Sequence, residues 1–193
     1  MGRSRMSDAV SALGGIEYDG VVSVSESPLQ GMITLRCDLV APILKETLQT
    51  TLGLGVPGMR AVLTKDAYAV AWMSPDEVLV LVPYESAGAL AGALTAGLGE
   101  MHSLVVNVSD ARALFALKGD GVRDVLAKIT PVDLRPEVLS DAVMCRTRLG
   151  QVAGAFWLVD DTTLQVICFR SVAAYVYGVL TDAADKTAQI RYF

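Results

Sequence analysis

The single histidine of the sequence, His102, is the first residue to consider for catalysis. A Ser/His or Cys/His pair, or a metal site with several histidines, would have to include it. A histidine that acts as a general base also needs a nucleophile and a group that orients its ring, and no such motif surrounds His102. The sequence therefore predicts an ordinary loop or rim histidine and no catalytic residue in this chain.

Residues 53–58, GLGVPG, match the G-x-G-x-x-G pattern that can hold the pyrophosphate of a dinucleotide. In dinucleotide-binding proteins this pattern follows a strand and opens a helix, whereas here it follows a helical pattern and precedes a strand-like one. Pro57 also lacks the amide that would face a phosphate. The pattern is typical of a helix C-cap followed by a turn, so the sequence predicts no cofactor-binding residue.

Five charged residues of the second half are weaker candidates for a functional site. Arg146, Arg148 and Arg170 are candidates for a small anion site, and the first two share one face of a predicted strand because side chains alternate. No phosphate loop accompanies them, so interface or ion-pair roles are favoured. The adjacent carboxylates of Asp160 and Asp161 fall on a predicted hairpin tip, where solvated turn residues are expected.

The three cysteines, Cys37, Cys145 and Cys168, are odd in number and lack a metal-type spacing. They are therefore expected to be reduced, buried thiols of a cytosolic protein, and no metal site is predicted. Arg3 and Arg5 come early, but no apolar core of signal-peptide length follows them, which also favours a cytoplasmic location.

The elements that would position these residues are clearest in the second half. A short apolar run at 113–117 predicts a strand, Asp120 is expected to cap the helix that follows, and Pro131 is expected to end it. Three more strands and a last helix, with Ser171 as its predicted N-cap, complete the order β-α-β-β-β-α; the strands are expected at 144–149, 152–159 and 164–169.

The first half predicts the same order of elements. A strand at 33–37 precedes a helix that starts at Pro42 and stops at Gly53 or Gly55, and a second helix is expected at 86–98. Between the helices three strands are predicted at 60–64, 68–73 and 78–82, and residues 104–108 are expected to form a strand or linker after the second helix.

The fold class predicted from this order is α+β, with two β-α-β-β-β-α repeats near 33–98 and 112–184 in a pseudo-twofold relation. Residues 1–27 have few large apolar side chains and predict a flexible lead with a strand near 21–24. Residues 28–193 predict a single compact domain made of the two similar halves.

Composition limits the partners of this chain. Its 193 residues include 16 basic and 21 acidic side chains, a net charge of −5, and no basic cluster, which disfavours nucleic acid and anionic membranes. Hydrophobic residues make up 52% of the chain, yet the charge-free run at 86–99 is shorter than the ~20 residues that span a bilayer. The excess apolar surface therefore predicts a large core or a protein partner.

Four segments of the sequence resemble the gamma subunit of heterotetrameric sarcosine oxidase, and the resemblance runs from about 33 to 184. The segment at 117–133 is also distantly similar to the folate-binding fold of aminomethyltransferase, the glycine cleavage T-protein. The four segments are SDARALFALKGDGVRDVLAKITPVDL at 109–134, RTRLG at 146–150, RSVAAY at 170–175 and WMSPDEVL at 72–79.

The resemblance implies a role in a complex with alpha, beta and delta subunits. Such complexes oxidatively demethylate sarcosine to glycine with formation of hydrogen peroxide, and the one-carbon unit passes to tetrahydrofolate. FAD, FMN, NAD and the folate site are expected on the alpha and beta subunits, and zinc on the delta subunit. The resemblance implies no cofactor in this chain, which is expected to be a non-catalytic structural subunit.

A free-standing folate-binding module of the aminomethyltransferase type is the alternative. The relatives of that type are longer than this chain, and no acidic residue here matches their folate-contacting carboxylate. An independent enzyme is the third hypothesis, and the isolation of His102 makes it the least favoured.

Overall fold

The computed structural model describes residues 8–187, in which eleven strands and four α-helices form two antiparallel sheets covered by helices. The five-stranded sheet has the spatial order β4 (Val62–Lys65), β5 (Tyr68–Ser74), β6 (Glu77–Pro83), β3 (Gln30–Arg36), β7 (Leu104–Asn107). The six-stranded sheet has the order β1 (Glu17–Asp19), β2 (Ser23–Glu26), β8 (Arg112–Lys118), β11 (Thr163–Phe169), β10 (Val152–Asp160), β9 (Cys145–Leu149). The helices are α1 (Pro42–Leu52), α2 (Ala87–Leu98), α3 (Val122–Ala127) and α4 (Ala173–Ala183).

The two sheets pack face to face, and each carries helices on its outer side. Strand β6 shows why: Val78, Val80 and Val82 pack with α1 and α2, whereas Leu79 and Leu81 point to the other sheet. A strand that is buried on both faces has an uninterrupted run of apolar residues, as β6 has over residues 78–82. The inter-sheet layer consists of buried side chains from both sheets: Met32, Val62, Ala71, Met73, Leu79 and Leu81 from one, and Leu114, Met144, Ala155, Trp157 and Ile167 from the other.

The predicted mixture of helices and antiparallel strands is confirmed for the described residues, but α3 ends at Ala127 and not at Pro131 as predicted. Both halves show the order β-α-β-β-β-α, and the strand orders β4-β5-β6-β3 and β9-β10-β11-β8 correspond. Helix α1 begins at Pro42, and Gly53 is its C-cap. The left-handed φ of 67° at Gly53 lets its amide donate to the carbonyl of Gln49. The predicted C-cap role of the glycine pattern is therefore confirmed. A pseudo-twofold relation between the halves stays a prediction.

Both predicted side-chain caps are wrong. Gly121, not Asp120, precedes α3, and no side chain bonds to the first turn. A 3-10 turn at Arg170–Val172 leads into α4, so Val172 takes the capping position instead of Ser171. Before both α3 and α4 the backbone enters the helix from a turn. The predicted capping residue therefore lies outside the N-cap position in each case.

The segment predicted as a flexible lead contributes β1 and β2 over 17–26. Val22 and Val24 are buried in the core beneath the six-stranded sheet, and the Glu26 carboxylate accepts hydrogen bonds from the amides of Leu13 at 2.9 Å and Gly15 at 2.7 Å. Pairing of β2 with β8 supplies the partner that this polar segment lacks by itself. Residues 1–7 of that lead, and residues 188–193 of the predicted domain, lie outside the described residues. Within 8–187 no helix is long and apolar enough to cross a membrane.

Candidate interaction surface

An ionic cluster lies where the β5–β6 hairpin meets β9. Glu77 is 5% exposed, and its Oε2 accepts a hydrogen bond from Arg36 Nη2 at 2.8 Å. The same oxygen lies 3.7 Å from Arg146 Nη1, and Arg36 Nη1 lies 3.7 Å from Asp76 Oδ2. A buried carboxylate is stable only when it is paired. Because Arg146 belongs to the six-stranded sheet and the others to the five-stranded one, this cluster links the sheets.

The three arginines considered as candidates for an anion site make separate contacts. Arg146 Nη1 donates to the carbonyl of Met73 at 2.9 Å, in addition to its ion pair. Arg148 donates to the Gln151 carbonyl at 3.2 Å, and Arg170 donates to the carbonyls of Val10 and Ser11, both at 3.0 Å. The preferred ion-pair role is therefore observed for Arg146, and the other two guanidiniums bind backbone oxygens.

A cleft of about 320 Å³ opens beside this ionic cluster. Arg60 forms part of its wall: the Nε donates to the Met144 carbonyl at 3.3 Å and Nη2 to the Cys145 sulfur at 3.1 Å. The backbone of Arg60 is left-handed with φ 62°, a conformation that non-glycine residues adopt only when contacts hold them there. These two nitrogens of Arg60 thus already have acceptors within the protein. Its lining is Arg60, Trp72, Met73, Val132, Met144, Cys145 and Arg146.

A second groove, of about 840 Å³, brings together two residues that the sequence treats separately, His102 and Cys37. His102 is exposed, and no hydrogen bond joins it to Cys37 or to another described residue. Burial, with a further contribution from the Asp38 carboxylate, raises the pKa of the Cys37 thiol to about 11. Catalytic thiols instead have a lowered pKa, so this groove lacks the electrostatics of an activated Cys/His pair.

The remaining predicted positions have structural roles. All three cysteines are buried and free, as predicted. Asp160 lies at the tip of the β10–β11 hairpin, where its Oδ1 accepts a hydrogen bond from the Thr162 amide at 2.8 Å, and this bond lowers the pKa of the Asp160 carboxyl. Asp161 is exposed beside it. The two carboxylates are therefore solvated turn residues. Among the described residues, no group of three or more metal-type ligands is found.

Alkaline pH is expected to destabilise the protein through Cys168. Burial raises the pKa of this thiol from about 9 to about 12, and the Arg112 charge only partly opposes that effect. The folded state therefore keeps a proton that the unfolded state loses above pH 9, so the stabilisation is complete below about pH 9 and is lost as the pH rises towards 12. Urea unfolding between pH 8 and 10.5 should show a falling free energy, with a shallower fall in Cys168→Ala. Identical pH slopes for wild type and variant would contradict the assignment.

The segments that carry the resemblance hold the fold together. In the segment 109–134, the buried Arg123 guanidinium donates to the carbonyls of Leu134 at 2.8 Å and Leu139 at 2.9 Å. The segments 146–150 and 170–175 meet at Tyr175, whose hydroxyl accepts a hydrogen bond from the Gln151 amide at 3.1 Å. A side chain at Gly150 would place its Cβ 2.5 Å from that hydroxyl, and φ there is +58°. These contacts give Arg123, Gly150 and Tyr175 roles within the fold.

One arginine that the sequence analysis does not single out is Arg112, the first residue of β8. Its guanidinium lies 4.6 Å from the ring centroid of Phe169, its partner across the strands. Its Nε is buried and has no hydrogen-bond acceptor among the described residues. Only its position within the segment 109–134 marks it in the sequence, because strand pairing decides which side chain it meets.

Comparison with known proteins identifies the family. The model of the sarcosine oxidase, gamma subunit family matches residues 36–186. The chain belongs to this family. Two gamma subunits of sarcosine oxidase match over 143 residues, 73% of this chain and 70% of each relative: that of Corynebacterium sp. (strain P-1) is 27% identical and that of Arthrobacter sp. is 31% identical. The resemblance stated from the sequence motifs is thus confirmed.

Solved structures place this gamma-family chain among known folds. The heterotetrameric sarcosine oxidase of Corynebacterium sp. U-96 contains a chain that matches with a TM-score of 0.80 and 23% identity, over 92% of this chain and 91% of that one. Aminomethyltransferase T of the glycine cleavage system of Bartonella henselae matches with a TM-score of 0.59 and 14% identity, over 80% of this chain and 44% of that one. The family segment, which starts at 36, contains the whole ionic cluster, and β1 and β2 precede it.

Proposed function

We propose that this chain is the gamma subunit of a heterotetrameric sarcosine oxidase and that its role is structural. The observation that carries the proposal is the family match over 36–186. It is supported by the use of Arg123, Arg146 and Tyr175 for contacts within the fold. The proposed complex also contains alpha, beta and delta subunits and lies in the cytoplasm.

The proposed reaction of the complex is the oxidative demethylation of sarcosine to glycine, with hydrogen peroxide as the second product and the one-carbon unit passed to tetrahydrofolate. We place FAD, FMN, NAD, tetrahydrofolate and zinc on the other subunits. Residues 53–58 do not fit a dinucleotide, because they follow α1 and Gly53 closes that helix. This chain would supply packing surface, including exposed apolar side chains such as Leu104, Val106 and Phe169.

The proposed domain spans 28–193 and contains two pseudo-twofold repeats near 33–98 and 112–184. Their shared strand orders support this arrangement, and the inter-sheet layer gives them a common core. A protein built in this way should unfold in one cooperative transition, so differential scanning calorimetry with two separated peaks would contradict a single domain.

Co-expression of all subunits with and without this chain tests the structural role. With a tagged chain present, the purified complex should contain the larger subunits and show flavin absorbance; without it, assembly and oxidase activity should be lost. Full assembly and activity in its absence would refute the proposal. His102→Ala should leave the activity of the assembled complex unchanged, and a complex that assembles with this variant but is inactive would refute the non-catalytic role.

A folate-binding module is the second candidate, favoured by the fold likeness to aminomethyltransferase T. The purified chain would then bind tetrahydrofolate in calorimetric titration without any other subunit. The gamma-subunit proposal expects no heat of binding from the chain alone.

A further inference from the structure

A row of four side chains crosses the six-stranded sheet at the end where β8 begins and β11 ends. Arg112 pairs with Phe169, and Arg148 pairs with Ala153. Because Gly154 pairs with Cys168, Ala153 and Phe169 are the next neighbours along β10 and β11. Alternation turns this row to the inter-sheet side, since Ala113 and Cys168 face the helices. The order across the sheet is Arg112, Phe169, Ala153, Arg148, and we call it the rim row.

The rim row is open to solvent at its centre. Phe169 is 48% exposed, and Ala153, with only a methyl group, is exposed beside it. Neighbouring strands are about 4.8 Å apart, so Ala153 lies directly beside the aromatic ring. A half-exposed phenylalanine next to an exposed alanine is an apolar surface that a partner can cover.

The Nε atom of Arg112 is buried and has no hydrogen-bond partner among the described residues. Burial lowers the pKa of Arg112, and the nearby Glu77 carboxylate opposes this effect. Glu77 already pairs with two other arginines, so the buried Arg112 N–H still lacks an acceptor.

The charge at this end is opposite to that of the whole chain. Five guanidiniums and three carboxylates lie around this end, whereas the net charge of the protein is −5. A partner segment in which apolar side chains flank an acidic residue would complement both the positive charge and the exposed apolar side chains, whereas a small free anion would leave Phe169 uncovered. The guanidiniums are those of Arg36, Arg112, Arg146, Arg148 and Arg170, and the carboxylates are those of Asp76, Glu77 and Asp110.

We propose that the rim row is the docking site for an acidic segment of a partner subunit of the oxidase. A carboxylate of that segment pairs with the partly exposed guanidinium of Arg112, and an adjacent apolar side chain covers Phe169. This inference rests on the proposed gamma-subunit function and adds to it the surface and the chemistry of the contact. Charge-assisted hydrogen bonds next to a buried aromatic ring are typical of interface positions with large energetic effects.

The assembled complex, purified through a tag on this chain, provides the test. Its dissociation on dilution can be followed by mass photometry at low and high salt. Arg112→Gln is expected to raise the apparent dissociation constant roughly 30-fold or more, and Phe169→Ala roughly 10-fold. The matched controls Lys45→Gln and Val40→Ala, exposed residues in and beside α1, should stay within about twofold of wild type. The salt dependence should be weaker in Arg112→Gln than in wild type.

The outcomes separate this inference from the proposed function. If the wild-type chain captures no oxidase subunit, both are refuted. If it does and the rim-row variants dissociate like the controls, only the docking site is refuted. Thermal unfolding of each free variant chain checks its folding; where Arg112→Gln does not fold, Phe169→Ala and Arg148→Gln, both at exposed positions, decide the question in its place.

Discussion

Trp157→Ala is expected to lower the free energy of unfolding by about 3–5 kcal/mol, among the largest effects of any single substitution in this protein. Trp157 is 6% exposed and belongs to the layer of side chains between the two sheets. Removing the indole leaves a cavity that rigid sheets on both sides fill poorly, so the lost contacts add to the lost burial. Urea unfolding followed by circular dichroism measures the change.

The second tryptophan of the chain is the matched control. Trp72 is only partly buried and lines the cleft of about 320 Å³, so Trp72→Ala should cost less than Trp157→Ala. Trp157→Phe should also shift the fluorescence to longer wavelength, because the remaining emission comes from the more exposed indole. Equal losses of stability for the two alanine variants would contradict a core centred between the sheets.

Arg123→Ala is expected to destabilise the protein by about 3 kcal/mol, since two hydrogen bonds from one charged donor are lost. Arg123 is 8% exposed, and its Nη1 donates hydrogen bonds to the carbonyls of Leu134 and Leu139. In the alanine variant those oxygens lose their charged donor. For a chain of this size the melting temperature should fall by roughly 6–12 °C in differential scanning calorimetry.

Asp161→Asn separates this effect from the ion pair of the same guanidinium. Asp161 is 91% exposed in its side chain and lies 3.9 Å from Arg123 Nη2, so the substitution should change stability by less than about 0.5 kcal/mol. Arg123→Met keeps the length of the side chain without its donors. If that variant were as stable as wild type, packing rather than the two hydrogen bonds would account for the role of Arg123.

Local sequence signals predicted most of the individual elements because their causes are local. Pro42 and Gly53 mark the two ends of α1, since one lacks an amide donor that the helix start does not need and the other adopts a left-handed φ without strain. The β5–β6 and β10–β11 hairpins turn at Pro75-Asp76 and Asp161-Thr162, where turn residues interrupt apolar strands. Apolar periodicity, turn residues and helix caps of this kind can be recognised without considering the rest of the chain.

Local sequence signals do not predict the order of strands within the sheets or the contacts across the sheets. The sequence predicts a strand near 21–24 inside a flexible lead, but not that this strand pairs with β8 and becomes part of the six-stranded sheet. Glu77 and Arg146 are 69 positions apart, and nothing in either neighbourhood predicts that they share an ion pair. The same holds for Cys37 and His102, which meet in one groove although they show no catalytic spacing.

By itself, the sequence determined the α+β class, the order of helices and strands, the buried free thiols and, through its motifs, the family of this chain. The tertiary structure alone decided the pairing of β2 with β8, the ionic cluster that links the two sheets, and the exposure of the rim row beside a buried, unpartnered Arg112 nitrogen. The physical reason is that periodicity and turn chemistry act over a few residues. Burial and electrostatic pairing depend instead on which distant strands the packed sheets bring together.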